Sequence, residues 1–264
     1  MRALPRVIPA LVLAAGSAFA GETTVAVAAN VAEVVETLAA DFEQQTGHRV
    51  TVTVGSTGKL YAQILHGAPF DLFLAADQER PRLLVEQGLA VEDSQRTYAI
   101  GRLVLWSSDA AEPVDEGVLK GGSFRRLAIA NPDLAPYGAA ARETLRELGL
   151  WESLRPKIVL GENVGQAFAM AASGNAKLGF VSLASVLSPR NGHEGSYWEV
   201  PEHLHTPIRQ DSVLLDRARD NPAARDFHEF LNTPVALETL ESFGFVHNDL
   251  PRVRMARALG IERR

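Results

Sequence analysis

Apolar positions along the chain form short runs that alternate with stretches of helical spacing. Thr23 to Ala28 is an unbroken strand-like run, and Val31, Val34, Val35, Leu38 and Phe42 behind it share one helical face. Val50, Val52 and Val54 alternate with threonines at a period of two. Leu60, Ile64 and Leu65 predict a short helix, Phe70 to Ala75 a buried strand, and Gln78 to Gln87 a helix opened near Pro81 and stopped by Gly88. The rhythm continues with strands at Leu103 to Trp106 and Leu127 to Ala130, a helix at Gly138 to Leu148, and strand, helix, strand at 158–160, 165–172 and 178–183. Pro189 to Gly195 is a polar turn, Val213 to Leu215 a short strand, and two proline-started helices follow at Pro222 to Leu231 and Pro234 to Phe243. Strands alternating with helices predict α/β layers, a parallel sheet covered on both faces. No internal repeat, low-complexity segment or long flexible linker interrupts the pattern, so two lobes would be joined by strands or short crossovers, an arrangement suited to hinge motion.

The first residues stand apart from this rhythm. Arg2 and Arg6 precede an apolar run from Val7 to Phe19, which ends in Ala18-Phe19-Ala20. A basic start, a short apolar stretch and a small-residue cleavage site together predict a secretory signal peptide over residues 1–20, too short for a comfortable membrane anchor. The mature chain is then expected to begin near Gly21 in the periplasm. The formal charge of the full chain is −6, and removal of Arg2 and Arg6 makes the remainder more acidic. That balance argues against nucleic acid as partner but not against a small anion, whose capture depends on local dipoles. There is no cysteine. Disulfides are therefore unavailable and stability must come from the core.

Candidate chemistry lies where strands give way to helices. Ala28-Ala29-Asn30-Val31 and Gly55-Ser56-Thr57-Gly58-Lys59 place small, amide and hydroxyl residues at such junctions, and Pro136-Tyr137-Gly138 and Asn163-Val164-Gly165 offer comparable turns. The first turn of a helix has free N–H groups and the positive end of its dipole, so it accepts an anion without a charged side chain. Asn30 and Thr57 also serve as ordinary helix caps on this reading. A phosphate loop does not fit, because Thr53 stands at the first-glycine position and Leu60 follows Lys59. No G-x-S-x-G or H-E-x-x-H pattern is present. His203 and His205 lack a nearby third ligand and read as surface histidines, Asp71 and Asp77 as turn-stabilising carboxylates, and Trp106, Trp151 and Trp198 as packing. The arginine-rich tail from Arg252 to Arg264 reads as a solvated or frayed end.

At these junctions the chain resembles the periplasmic molybdate-binding proteins, the ModA family of ABC-transporter solute receptors. The resemblance is carried by Ala28-Ala29-Asn30, by Gly55 to Ile64, by Gly67-Ala68-Pro69-Phe70-Asp71-Leu72-Phe73-Leu74-Ala75-Ala76-Asp77, and by Tyr98 to Ser107. It continues through Ala130-Asn131-Pro132 to Gly138, Glu162-Asn163-Val164, Leu178 to Ser182 and Phe243-Gly244-Phe245. It implies a two-lobed periplasmic-binding-protein fold, each lobe a mixed, mostly parallel sheet flanked by helices. Residues 21–102 with 210–264 are assigned to lobe I and 103–209 to lobe II.

The same resemblance implies an oxyanion, molybdate or tungstate, held between the lobes by Asn30 and Thr57 from one and Tyr137 and Val164 from the other. Asn30 and Thr57 would offer side-chain donors with backbone N–H groups, Tyr137 and Val164 mainly backbone N–H groups. Ala29, Ser56 and Ser182 are second choices; Ser182 stands where some members carry a tyrosine, and Thr57 where serine is commoner. No cofactor, directly ligated metal ion or nucleic acid is expected. An ABC permease is the expected macromolecular partner, and the receptor is expected to be a monomer and not an enzyme. Competing readings are a receptor for sulfate or another ligand, and a secreted α/β enzyme, which would need a nucleophile–base pair absent from these junctions.

Overall fold

The computed structural model describes residues 20–192 and 194–247. The arginine-rich tail and, apart from Ala20, the expected signal peptide lie outside them. The strands are β1 (Glu22–Ala28), β2 (Arg49–Gly55), β3 (Leu72–Leu74), β4 (Arg96–Gly101), β5 (Leu103–Ser107), β6 (Leu127–Ala130), β7 (Ile158–Gly161), β8 (Leu178–Ser182), β9 (Ser196–Glu199) and β10 (Ile208–Leu214). The helices are α1 (Ala32–Thr46), α2 (Thr57–Leu65), α3 (Glu79–Glu86), α4 (Glu116–Gly121), α5 (Pro136–Glu147), α6 (Trp151–Leu154), α7 (Val164–Ala172), α8 (Leu183–Leu187), α9 (Pro222–Phe230) and α10 (Pro234–Ser242).

They build two five-stranded sheets, ordered β2-β1-β3-β10-β4 and β7-β6-β8-β5-β9. Each is mixed. In the first, β1 runs parallel to β2 and β3, while β10 runs antiparallel to β3 and β4. The second repeats this scheme, with β6 parallel to β7 and β8, and β5 antiparallel to β8 and β9. Interior β1 is apolar without alternation from Val25 on because helices cover both of its faces, and Val25, Ala26 and Val27 are completely buried. Gly47 ends α1 at φ 77°, a left-handed cap that needs no Cβ, and its N–H closes onto Glu43 O at 2.9 Å.

Each sheet has its own core. In the first, Phe42 meets Phe227 edge to face with ring centroids 5.1 Å apart; in the second, Trp106 stacks on Phe168 at 4.7 Å. Burying each such ring contributes roughly 1.5–3 kcal/mol. The chain crosses between sheets at Arg102, between β4 and β5, and returns into β10, whose first residue Ile208 still packs into the second core. Val246 then forms a bridge with Ile100 through bonds of 2.8 and 3.0 Å.

The return strand is longer than its apolar pattern suggests. The apolar pattern marks only Val213 to Leu215; β10 begins at Ile208, where it pairs with Gly101 of β4, and its first part carries no apolar signal because Gln210, Asp211 and Ser212 are polar although buried. Asp211 accepts from Thr97 Oγ1 at 2.6 Å, Gln95 Nε2 at 2.7 Å and Gln78 Nε2 at 3.1 Å. Ser212 Oγ lies 3.0 Å from Nε2 of His228 on α9. Burial, reinforced by the charge of Arg96 and opposed by Glu229, depresses the His228 pKa to about 4 from an ordinary 6.5. The unfolded chain therefore binds a proton that the folded chain refuses. This contribution to stability is complete above about pH 6.5 and is lost as pH falls toward 4, reaching about 3 kcal/mol. Thermal melts across that range should show the loss, and His228→Gln should flatten it.

No helix among the described residues is long and apolar enough to cross a membrane.

Candidate functional site

Four junctions between β-structure and helix meet at the boundary between the sheets. Ser56, in an extended conformation, caps α2: its Oγ accepts from Lys59 N at 3.4 Å and its carbonyl from Leu60 N at 3.0 Å. Gly58 N donates at 2.9 Å to Leu134 O, from the turn before α5 in the other lobe. Thr57 N–H, in the same first turn, meets no acceptor among the described residues. Thr57 Oγ1 accepts from Ala76 N at 3.1 Å, which leaves its own proton to donate.

The opposite lobe presents the same geometry twice. Asn163 caps α7, its Oδ1 accepting from Gln166 N at 3.0 Å and its carbonyl from Ala167 N at 3.2 Å. The N–H groups of Val164 and Gly165 meet no acceptor among the described residues. In α5, Pro136 has no N–H, and Gly138 and Ala139 both donate to Ala135 O, so that Tyr137 N–H is left without one. Gly165 lies against the turn holding Asn30, since a Cβ added to it would sit 3.8 Å from Ala29 Cβ.

Asn30, in the 3-10 turn Ala29–Val31, donates through Nδ2 to Gln210 Oε1 at 2.7 Å. Tyr137 Oη joins this group: a Cβ added to Gly101 would lie 2.1 Å from it and 2.7 Å from Gln210 Nε2. Asn30, Thr57, Tyr137 and Val164 are all buried, the most open being Asn30 at 6 %. Among the second choices, Ala29 borders α7, while Ser56 and Ser182 commit their hydroxyls to capping; Ser182 Oγ accepts from Ser185 N at 3.2 Å.

The group is electrically neutral and rich in donors. Burial pushes the Tyr137 hydroxyl far above the ordinary tyrosine range, against the opposing pull of the Asn30 and Gln210 amides, so it keeps its proton and can donate. Charges nearby are paired. Lys59 Nζ bridges the lobes to Glu162 at 3.0 Å, and Arg80 pairs with Asp77 while reaching Asp133 O at 3.4 Å. Burial pushes the Asp77 carboxyl up, partly offset by Arg80. Asp71 ties Thr24 N at 2.8 Å and Arg217 Nη1 at 2.8 Å, a structural role. No group of three or more His, Asp or Glu able to hold a metal ion occurs among the described residues.

Two findings go beyond the sequence reading. Tyr137 contributes its hydroxyl as well as its N–H to the group, and Gln210, Tyr98 and Gly101 support it from the crossover strands. The available signal for Gln210 was the polar run Arg209–Ser212 between Ile208 and Val213, atypical of a buried strand.

The family of bacterial extracellular solute-binding proteins matches residues 23–246. The molybdate-binding protein ModA of Rhodobacter capsulatus is 46% identical over 229 residues, covering 87% of this chain and 90% of the relative. That of Azotobacter vinelandii is 46% identical over 234 residues, covering 88% and 93%. The solved structure of the Azotobacter vinelandii periplasmic molybdate-binding protein superposes with a TM-score of 0.82 at 39% identity, covering 86% of this chain and 100% of that one.

Proposed function

The chain belongs to the bacterial extracellular solute-binding proteins and, within them, to the ModA molybdate-binding family, and from that premise we propose that it captures molybdate or tungstate between its lobes for an ABC permease. The observation that carries this reading is the meeting of unpaired first-turn N–H groups at Thr57, Tyr137 and Val164 with the neutral side chains of Asn30, Thr57 and Tyr137. A dianion placed there exchanges its water shell for preoriented, charge-assisted donors, and needs no counter-charge.

An all-donor site also selects. Monohydrogen phosphate carries a proton that needs an acceptor, and leaving it unpaired costs roughly 1–3 kcal/mol. Sulfate has no such proton, so only the size of the site discriminates against it. Lobe I is taken as residues 21–102 with 210–264 and lobe II as 103–209, a division supported by the two strand sets and the crossovers at Arg102 and Ile208. The Lys59–Glu162 pair and the Gly58–Leu134 bond join the lobes in the closed form, and the permease would read that form in the periplasm. The donor set contains no nucleophile–base pair, which favours capture over chemistry.

Calorimetric titration of the ligand-stripped mature protein with molybdate, tungstate, sulfate and phosphate tests the reading. One-to-one binding of molybdate and tungstate, with sulfate weak and phosphate absent, is expected. Thr57→Ala removes a charge-assisted donor and should weaken molybdate by about 10–100-fold. Sulfate bound as tightly as molybdate would make this a general tetrahedral-oxyanion receptor, and no oxyanion bound at all would end the proposal.

A further inference from the structure

Gln210 occupies an unusual place. It is completely buried in the crossover strand β10, at a register shift where Gln210 faces Ala99, Asp211 faces Thr97, and Tyr98 faces no residue. Such bulges redirect side chains near functional sites. Its amide touches one candidate ligand residue from each lobe: Oε1 accepts from Asn30 Nδ2 at 2.7 Å, and Nε2 lies beside Tyr137 Oη in the space left by Gly101.

The two ends of this amide are not equivalent. Oε1 takes the Asn30 bond and also lies 3.3 Å from Tyr98 Oη, a second hydroxyl on the same side. Donors on that side keep the amide oxygen there and turn the NH₂ toward Tyr137. Gln210 Nε2 and Tyr137 Oη are both buried with no well-aligned hydrogen bond to a described residue. A neighbouring NH₂ cannot accept, so the phenol proton turns away from Gln210, to the side where the Asn30 amide, the other group facing the hydroxyl, and the oxyanion lie.

We propose that Gln210 is a positioning residue that sets the polarity of the site: its NH₂ faces the Tyr137 oxygen, so that the Tyr137 proton is presented to the bound oxyanion. This rests on the oxyanion-capture reading above. One glutamine thereby joins closure to selectivity, because Tyr137 comes under its control only when lobe II has met lobe I. Gly101 belongs to the same device, since a methyl group there would occupy the place of the Tyr137 hydroxyl.

A double-mutant cycle tests it, read by calorimetric titration of the mature protein with sodium molybdate. Gln210→Met should weaken binding by about 10-fold, the low end for a charge-assisted hydrogen bond. In a Tyr137→Phe background, which has no proton to direct, the same substitution should cost at least about 3-fold less. Equal costs in both backgrounds would overturn the proposal, because a residue that merely fills space is indifferent to the hydroxyl. So would an unchanged affinity in Gln210→Met. If thermal melting shows that Gln210→Met does not fold, Gln210→Asn, which stays neutral but is one methylene too short to hold its NH₂ against Tyr137, replaces it in the cycle under the same criteria. Failure of the unaltered chain to bind molybdate would instead defeat the capture reading, so the two failures are distinguishable.

Discussion

Gly138→Ala is expected to lower stability by about 3 kcal/mol, toward the upper end for overpacking, and to weaken anion binding with it. Gly138 is the third residue of α5, where the helix starts directly above the end of β6. A Cβ there would stand 2.2 Å from Ala130 O, 2.7 Å from Ala130 C and 2.9 Å from Asn131 C. All three are backbone atoms, so no rotamer change relieves the clash and helix and strand must separate. The first turn of α5 carries the Tyr137 N–H and hydroxyl, and its displacement removes both from the site. For a chain of this size the melting temperature should drop by about 6–12 °C. Thermal melting with and without molybdate checks both effects. A melting point within about 2 °C of the unaltered protein would mean that the helix and strand ends are not held this close in solution.

Asn30→Asp should produce the larger loss of affinity, about 1000-fold or more near neutral pH. The substitution barely changes shape, but it replaces the Nδ2 that donates to Gln210 Oε1 with an oxygen, setting two acceptors against each other. It also places a carboxylate beside a bound dianion. At about 4 Å and an effective dielectric of about 20, one pair of unit charges interacts by roughly 4 kcal/mol, enough for this estimate even when part of it is relieved by proton uptake. Protonation is the escape route, so affinity should recover by up to tenfold per unit as pH is lowered from about 8 toward 5.5. Asn30→Ala, which only removes a donor, should lose about 10–100-fold with a flat profile. Titrations at both pH values decide the matter. If Asn30→Asp binds molybdate within tenfold of the unaltered chain at neutral pH, Asn30 is not part of the site.

Much of the architecture was legible along the chain because burial on both faces leaves a plain mark. Apart from Thr23, Thr24 and Asp71, the runs at 23–28, 70–75 and 127–130 are apolar without alternation, and they became the interior strands β1, β3 and β6. Helix α5 was legible from its spacing, though it begins at Pro136, two residues before the apolar face does. The candidate junctions at Asn30, Thr57, Tyr137 and Val164 were legible for a different reason. Free first-turn N–H groups follow from helix geometry wherever a short strand runs into a helix. What escaped was β4, β9 and the first part of β10, whose polar or mixed residues resemble loop, and the helices α4, α6 and α8, which at six residues or fewer are too short to show a periodic face.

The local order of strands, helices and helix starts is a matter of neighbouring residues, and the amino-acid sequence sufficed for it. Which carbonyl takes the Gly58 N–H, which side of the Gln210 amide faces Asn30, and where the Tyr137 hydroxyl comes to rest depend on residues far apart in the chain. Asn30 and Gln210 are separated by 180 positions, yet they share a hydrogen bond. Their meeting requires the chain to leave the first sheet at Arg102, build the second and return at Ile208. Periodicity encodes the face a residue presents to its own element. A polar group buried between two lobes carries no periodic mark, because its partner is supplied by the crossover and not by the neighbouring turn.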